Sequence, residues 1–211
     1  MTVRLMIADD HEVVRAGLRA LLAGARDVEI VGEAAEGHET LRQARRLHPD
    51  MLMLDVRMPG ADGLAVLAQL RAEMPTAAVV MFSSYDNPTY VARAMALGAA
   101  GYLVKSARRD DILTAIRRVA AGETLWSSES KRQVSAALST ERAPAEIDAP
   151  LTKREAEVLR QMALGLSNKE IAQALEISYE TVKEHVQHIL RKLVVADRTQ
   201  AAVWAVRMGL A

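Results

Sequence analysis

Apolar positions in the first 122 residues follow two alternating patterns. Strand-like runs occupy Val3–Ala8, Glu29–Ala34, Met51–Leu54, Ala78–Phe82 and Gly101–Val104. The unbroken run Met51–Leu54, closed by Asp55 and the turn residues Pro59-Gly60, predicts a strand buried on both faces. Between the runs, apolar residues recur at helical spacing: Val13, Val14, Gly17, Leu18, Leu21 and Leu22; Leu64, Val66, Leu67 and Leu70; Val91, Ala94, Met95 and Leu97; Ile112, Ala115, Ile116 and Val119. Strands alternating with helices of this length predict right-handed βαβ units. Five units give an α/β fold, a doubly wound parallel five-stranded sheet in the order 2-1-3-4-5. Gly98 and Gly122 follow helical runs, as helix-stopping residues do.

The pattern changes after residue 122. Ser128 to Leu138 can form one short helix, and Ser139 to Pro150, polar with two prolines, reads as a linker. From Leu151 only helical spacing remains. Thr152 with Glu155, and Ser167 with Glu170, are capping boxes that start two helices, with Gly165 between them. Ser178 caps a third, whose apolar stripe is Val182, Val186, Ile189, Leu190 and Leu193. A fourth spans about Arg198 to Met208. The predicted organisation is therefore a domain at 1–122, a partly helical linker at 123–149, and a small all-α four-helix domain at 150–211. The short step from Leu175 to Ser178 resembles a helix-turn-helix.

Composition narrows the class. The chain has 211 residues, 50% hydrophobic and 26% charged, with no cysteine. Disulfides, thiolate metal sites and cysteine nucleophiles are excluded. No apolar run reaches the roughly 18 residues of a membrane span. The N-terminus enters a strand directly, without a signal-peptide core, so a cytoplasmic location is expected. Net charge is zero overall, yet residues 150–211 hold nine basic and seven acidic side chains. That mild excess permits nucleic-acid binding.

Charge placement carries the chemistry. Asp9-Asp10 ends the first strand, Asp55 the third, and Lys105 the fifth, so all converge on one edge of a parallel sheet, where such folds bind ligands. Taken singly, Asp55 reads as a turn cap, Ser83 as a strand-end hydroxyl, Tyr102 as packing and Lys105 as a solvated charge. Clustered carboxylates repel unless a cation neutralises them. Oxygen ligands without His or Cys favour Mg2+. A carboxylate beside such an ion can attack phosphorus, and a lysine can pair with a phosphoryl oxygen.

Asp9-Asp10, Asp55 with Met58-Pro59-Gly60, Ser83 and Gly101-Tyr102-Leu103-Val104-Lys105 together resemble the receiver domain of bacterial two-component response regulators, over residues 3–122. The resemblance implies a flavodoxin-like fold with Asp55 as phosphoacceptor and Lys105 and Ser83 beside the phosphoryl group. Asp10 is implied as a direct Mg2+ ligand, Asp9 as one acting largely through water, and the backbone carbonyl of Arg57 as another, with Asp55 itself. Ser83 and Tyr102 are the implied switch pair. Many receivers place proline after the lysine; Ser106 stands here. A haloacid-dehalogenase-type phosphatase also uses a strand-end Asp but needs a carboxylate two residues on, where this chain has Arg57.

Leu151-Thr152-Lys153-Arg154-Glu155, Gly165 to Ala172, Ile177-Ser178 and Thr181-Val182-Lys183-Glu184-His185 resemble the LuxR-type helix-turn-helix over residues 151–207. With the receiver, this makes the NarL/FixJ class. The face opposite the third helix's apolar stripe carries Lys183, Glu184, Gln187, His188 and Arg191. Lys, Gln and Glu can read guanine, adenine and cytosine edges, while Thr181, Arg191 and Lys192 suit phosphates. Without the motif, that face reads as merely solvated. His185 and His188 are at i, i+3, but no carboxylates complete a metal site. The family usually has glycine where Val194 stands, which would cost about 1–2 kcal/mol if the backbone there is left-handed. The expectation is a cytoplasmic, phosphorylation-dependent transcription regulator, not a turnover enzyme. Its expected partners are a sensor histidine kinase, double-stranded DNA and a second copy in a homodimer, with no membrane. The alternative is a phosphorylation-independent DNA-binding regulator whose degenerate receiver serves as an interaction module.

Overall fold

The computed structural model describes residues 2–84, 88–127 and 151–210. The helix expected at 128–138 and the linker at 139–150 lie outside the described residues. The chain divides into two compact units, Met1–Asp86 with Leu97–Trp126, and Asn87–Ala96 with Ser127–Ala211.

Five strands build the first unit: β1 (Val3–Ala8), β2 (Val28–Ala34), β3 (Met51–Leu54), β4 (Ala78–Ser83) and β5 (Gly101–Val104). They form one sheet in the order β2-β1-β3-β4-β5, and all four pairings are parallel. The order is the expected one, and strand ends shift by one residue at most. Helices α1 (Glu12–Leu22), α2 (Gly37–Leu47), α3 (Gly63–Glu73) and α5 (Arg109–Ala120) follow β1, β2, β3 and β5. On one face of the sheet, Leu5, Ile7, Met51, Met53, Val80 and Phe82 share a core with Leu18 and Leu22 of α1 and Ile112, Ile116 and Val119 of α5. Alternation along each strand sends Met6, Leu52 and Leu54 to the other face. They are fully buried there too, so β3 is apolar throughout.

Val13 departs from the expected apolar stripe: it is 83% exposed. It lies in the first turn of α1, outside the core that Leu18 and Leu22 of the same helix join. Beyond α5, the chain stays with this unit as far as Trp126. Leu125 N donates to Ala100 O at 2.8 Å, and Trp126 Nε1 donates to Ala99 O at 2.9 Å. A side chain at residue 101 would collide with Leu125, which is why β5 starts with glycine.

The second unit holds α4 (Pro88–Ala96), α6 (Lys153–Ala163), α7 (Asn168–Ala174), α8 (Tyr179–Leu193) and α9 (Arg198–Arg207). Its main core joins Val158, Leu159, Met162, Ile171, Val182, Ile189, Leu193 and Ala201; Ala92 of α4 is buried with Val203 of α9. Both capping boxes form: Thr152 with Glu155 starts α6, and Ser167 with Glu170 starts α7. Ser178 Oγ accepts from Thr181 N at 3.0 Å and starts α8. Two left-handed residues turn the chain where glycine would be unstrained. Glu176, φ 53°, lies between α7 and α8, and Val194, φ 54°, closes α8. The fourth helix of this domain forms nonetheless, beginning at Arg198.

Candidate functional site

Strand order places the acidic residues. Reversal of the strand order between β1 and β3 opens a crevice at their carboxyl ends. Asp9 follows β1 and Asp55 follows β3. Asp55 N donates to Ala8 O at 2.8 Å, tying the two strand ends together. Asp9 is 1% exposed and Asp55 4%; Asp10 lies at the rim. Lys105, one residue past β5, puts Nζ 2.7 Å from both Asp9 Oδ2 and Asp55 Oδ2. Asp55 Oδ1 accepts from Val56 N at 2.7 Å.

One ammonium therefore serves two buried carboxylates. Burial pushes the Asp55 carboxyl above its usual range, against the opposing hydrogen bond from Lys105. Burial also works against the Lys105 charge, but the bond to Asp55 and the pairing with Asp9 overcome it and hold the ammonium above the lysine range. Burial is the main cause at Asp55, with Asp9 adding a smaller repulsion; two anions facing one cation also leave negative charge in excess.

A divalent cation fits that excess. Asp9 Oδ2 is buried, with the Lys105 ammonium 2.7 Å away. Asp9, Asp10, His11 and Asp55 each offer one ligand atom, all within 4.8 Å of one another. The donors are chiefly hard oxygens, which suit an ion such as Mg2+. Ser83 is fully buried at the end of β4, and its carbonyl accepts from Lys105 N at 2.8 Å. Tyr102 is half-buried on β5 opposite Met81. Arg57 is exposed in the loop after Asp55.

Two residues of this site escaped the sequence reading. His11 joins the cluster, signalled only by its place after Asp9-Asp10. Gly63 begins α3, and a Cβ there would overlap the Asp55 carbonyl oxygen. Its N–H donates to Val56 O at 2.9 Å. Glycine thus lets α3 start directly beneath the acidic loop; the Asp62-Gly63 pair was its only trace.

In the second unit, α7 and α8 form the helix-turn-helix. Val182, Ile189 and Leu193 are buried, while Lys183, Glu184, Gln187, His188 and Arg191 are exposed on the opposite face of α8. Thr181 is half-buried, its hydroxyl 2.8 Å from Ser178 Oγ. Lys192, expected to face phosphate, has a partner inside the fold as well. Its Nζ donates to the buried Glu155 at 2.7 Å, so it fastens α8 to the start of α6. Burial opposes the Glu155 charge, but Lys192 and the Thr152 hydrogen bonds pull its carboxyl down to about 2. Arg198 likewise reaches inward, its Nη2 donating to Leu166 O at 2.5 Å. No helix among the described residues is long and apolar enough to cross a membrane.

Known proteins are similar to this chain in sequence and structure. Residues 5–117 match the response regulator receiver domain, and residues 149–205 match the bacterial regulatory proteins of the luxR family. The nitrate/nitrite response regulator NarL of Escherichia coli K12 is 39% identical over 201 residues, 95% of this chain and 93% of that protein. The response regulator VraR of Staphylococcus aureus is 37% identical over 210 residues, covering 100% of this chain and 99% of its own. The crystal structure of the response regulator ChrA, from a heme-sensing two-component system, matches with a TM-score of 0.53 and 33% identity, over 100% of this chain and 99% of that one.

Proposed function

The chain belongs to the two-component response regulators that join a receiver domain to a LuxR-type helix-turn-helix DNA-binding domain, and from that membership we propose that Asp55 is its phosphoacceptor. The observation carrying this reading is the Asp55 carboxylate, buried at the end of β3 and held 2.7 Å from Lys105 Nζ. A carboxylate oxygen of Asp55 forms the bond to phosphorus as the P–N bond of a phosphohistidine donor breaks, and the donor imidazole leaves as the base. A divalent cation, Mg2+ by the hardness of the donors, would be held by Asp10, Asp9, Asp55 and the Arg57 carbonyl, and it neutralises phosphoryl oxygens when bound.

Lys105 then has a third anion within reach, and Ser83, on the same edge, supplies a hydroxyl. Their movement toward the phosphoryl group, with Tyr102 beside them on β5, shifts an existing equilibrium toward a state that dimerises and binds DNA. Lys183, Glu184 and Gln187 read bases and Arg191 holds phosphate. The chain accepts phosphoryl groups from a sensor kinase and turns over no external substrate. It works in the cytoplasm, where kinase output and DNA meet.

Incubating the protein with acetyl phosphate and Mg2+ tests the assignment. Stoichiometric acid-stable, base-labile labelling is expected, and none in Asp55→Asn, because an amide forms no acyl phosphate. Undiminished labelling of that variant overturns it and leaves the phosphorylation-independent reading in its place.

A further inference from the structure

His11 has no part in the phosphoryl chemistry above, yet it stands inside the acidic cluster. Its Nδ1 lies 2.7 Å from Asp10 Oδ1 and 3.4 Å from Asp9 Oδ1. Its backbone N–H donates to the same Asp9 Oδ1 at 2.9 Å. The residue is the N-cap of α1, but its side chain makes no capping hydrogen bond. The imidazole is therefore committed to the carboxylates and not to the helix.

We propose that His11 Nδ1 is a protein ligand of the divalent cation in this pocket, giving a mixed oxygen–nitrogen site that prefers first-row transition ions to Mg2+. The proposal rests on the reading of the pocket as cation-binding. Ligands at right angles around an ion at about 2.1 Å stand about 3 Å apart, and opposite ligands about 4.2 Å. The two Nδ1 distances bracket the first spacing, and all four donors lie within 4.8 Å of one another. The imidazole and the Asp10 carboxylate pair directly at 2.7 Å, and a small widening would let an ion take both as neighbouring ligands. Imidazole nitrogen is softer than carboxylate oxygen and suits first-row transition ions, while Mg2+ keeps oxygen and water. Arg15, the nearest cation on α1, does not compete. Its Nη1 donates to the Asp9 carbonyl at 2.7 Å, and its Nε lies 3.3 Å from Glu33.

Mn2+ binds most weakly in the first-row series, so a preference for it over Mg2+ is the demanding case. Calorimetric titration of the untagged full chain should give tighter Mn2+ than Mg2+ binding. His11→Ala and His11→Gln should each weaken Mn2+ at least tenfold while changing Mg2+ less than threefold. Electron spin echo spectra of the Mn2+ complex should show an imidazole nitrogen coupling that both variants lose. Far-ultraviolet circular dichroism checks that the variants are folded, which the 66% exposed side chain of His11 makes the expected result. Mn2+ binding that needs Asp10 but is unchanged without His11, or a wild-type spectrum with no nitrogen coupling, overturns the proposal and leaves the cation pocket standing. Failure of both ions to bind the wild-type chain overturns the pocket reading as well.

Discussion

Val194 closes α8 with φ 54° and ψ 45°, a conformation costing an L-residue about 1–2 kcal/mol. Its side chain is 46% exposed, so packing offsets little of this. Val194→Gly is expected to stabilise the second unit by about 1 kcal/mol, net of glycine's greater chain entropy, and a lower melting temperature would contradict it. Gly63 is the opposite case. Gly63→Ala should push the Asp55 loop aside, cost about 1–3 kcal/mol by overpacking, and slow acetyl phosphate labelling although glycine carries no reactive group. Glu155 sets a pH dependence. Its folded carboxyl titrates near 2, against an ordinary value of 4.5. The unfolded chain therefore takes up the proton first as pH falls. The stabilisation, on the order of 2 kcal/mol, is fully present above about pH 5 and is lost as pH falls toward 2. Lys192→Ala strands the buried carboxylate, so it should destabilise the unit by several kcal/mol and shrink that acid dependence. If chemical denaturation finds the variant as stable as wild type, the ion pair has no structural weight.

Elements were legible where burial and periodicity agreed. Met51–Leu54 has no polar residue and emerged as a fully buried central strand, and both capping boxes formed because their side chains need only local partners. Val13 is exposed despite its helical spacing, because spacing alone does not tell whether a first-turn residue reaches the core. Lys192 has an ion pair that was not legible, for a related reason. On a helix it sits near the outward face, and only the fold brings Glu155, 37 residues earlier, within reach. The outward face of α8 is otherwise as its sequence indicated. Gln187→Ala is expected to relax preference at one base position and cost about 1–3 kcal/mol on the best site. Arg191→Ala should weaken all sites about equally and reduce the salt slope by about one unit. Binding selections on random DNA, repeated at two salt concentrations, separate these. A Gln187→Ala selection returning the wild-type preference would remove Gln187 from the reading set.

At the scale of the molecule, the acidic site was legible because the parallel topology gathers the ends of β1, β3, β4 and β5 on one edge, whatever their separation along the chain. What stayed hidden, His11 and Gly63, depends on spacings of a few ångströms that periodicity does not encode. The proposed function joins two units, one with the proposed phosphoacceptor and one with α8. A phosphoryl group changes DNA affinity only to the extent that it favours the binding-competent state. If that state holds about a tenth of the unphosphorylated population, acetyl phosphate can raise apparent affinity at most about tenfold, equivalent to about 1.4 kcal/mol. Fluorescence anisotropy on a selected DNA site, with and without acetyl phosphate and Mg2+, should show that rise for the wild-type chain and none for Asp55→Asn. Sedimentation of the same samples should show a larger species only where Asp55 is phosphorylated. Dimer formation without a gain in affinity would separate assembly from DNA binding. A gain equal in wild type and Asp55→Asn would place the effect of the phosphodonor somewhere other than Asp55.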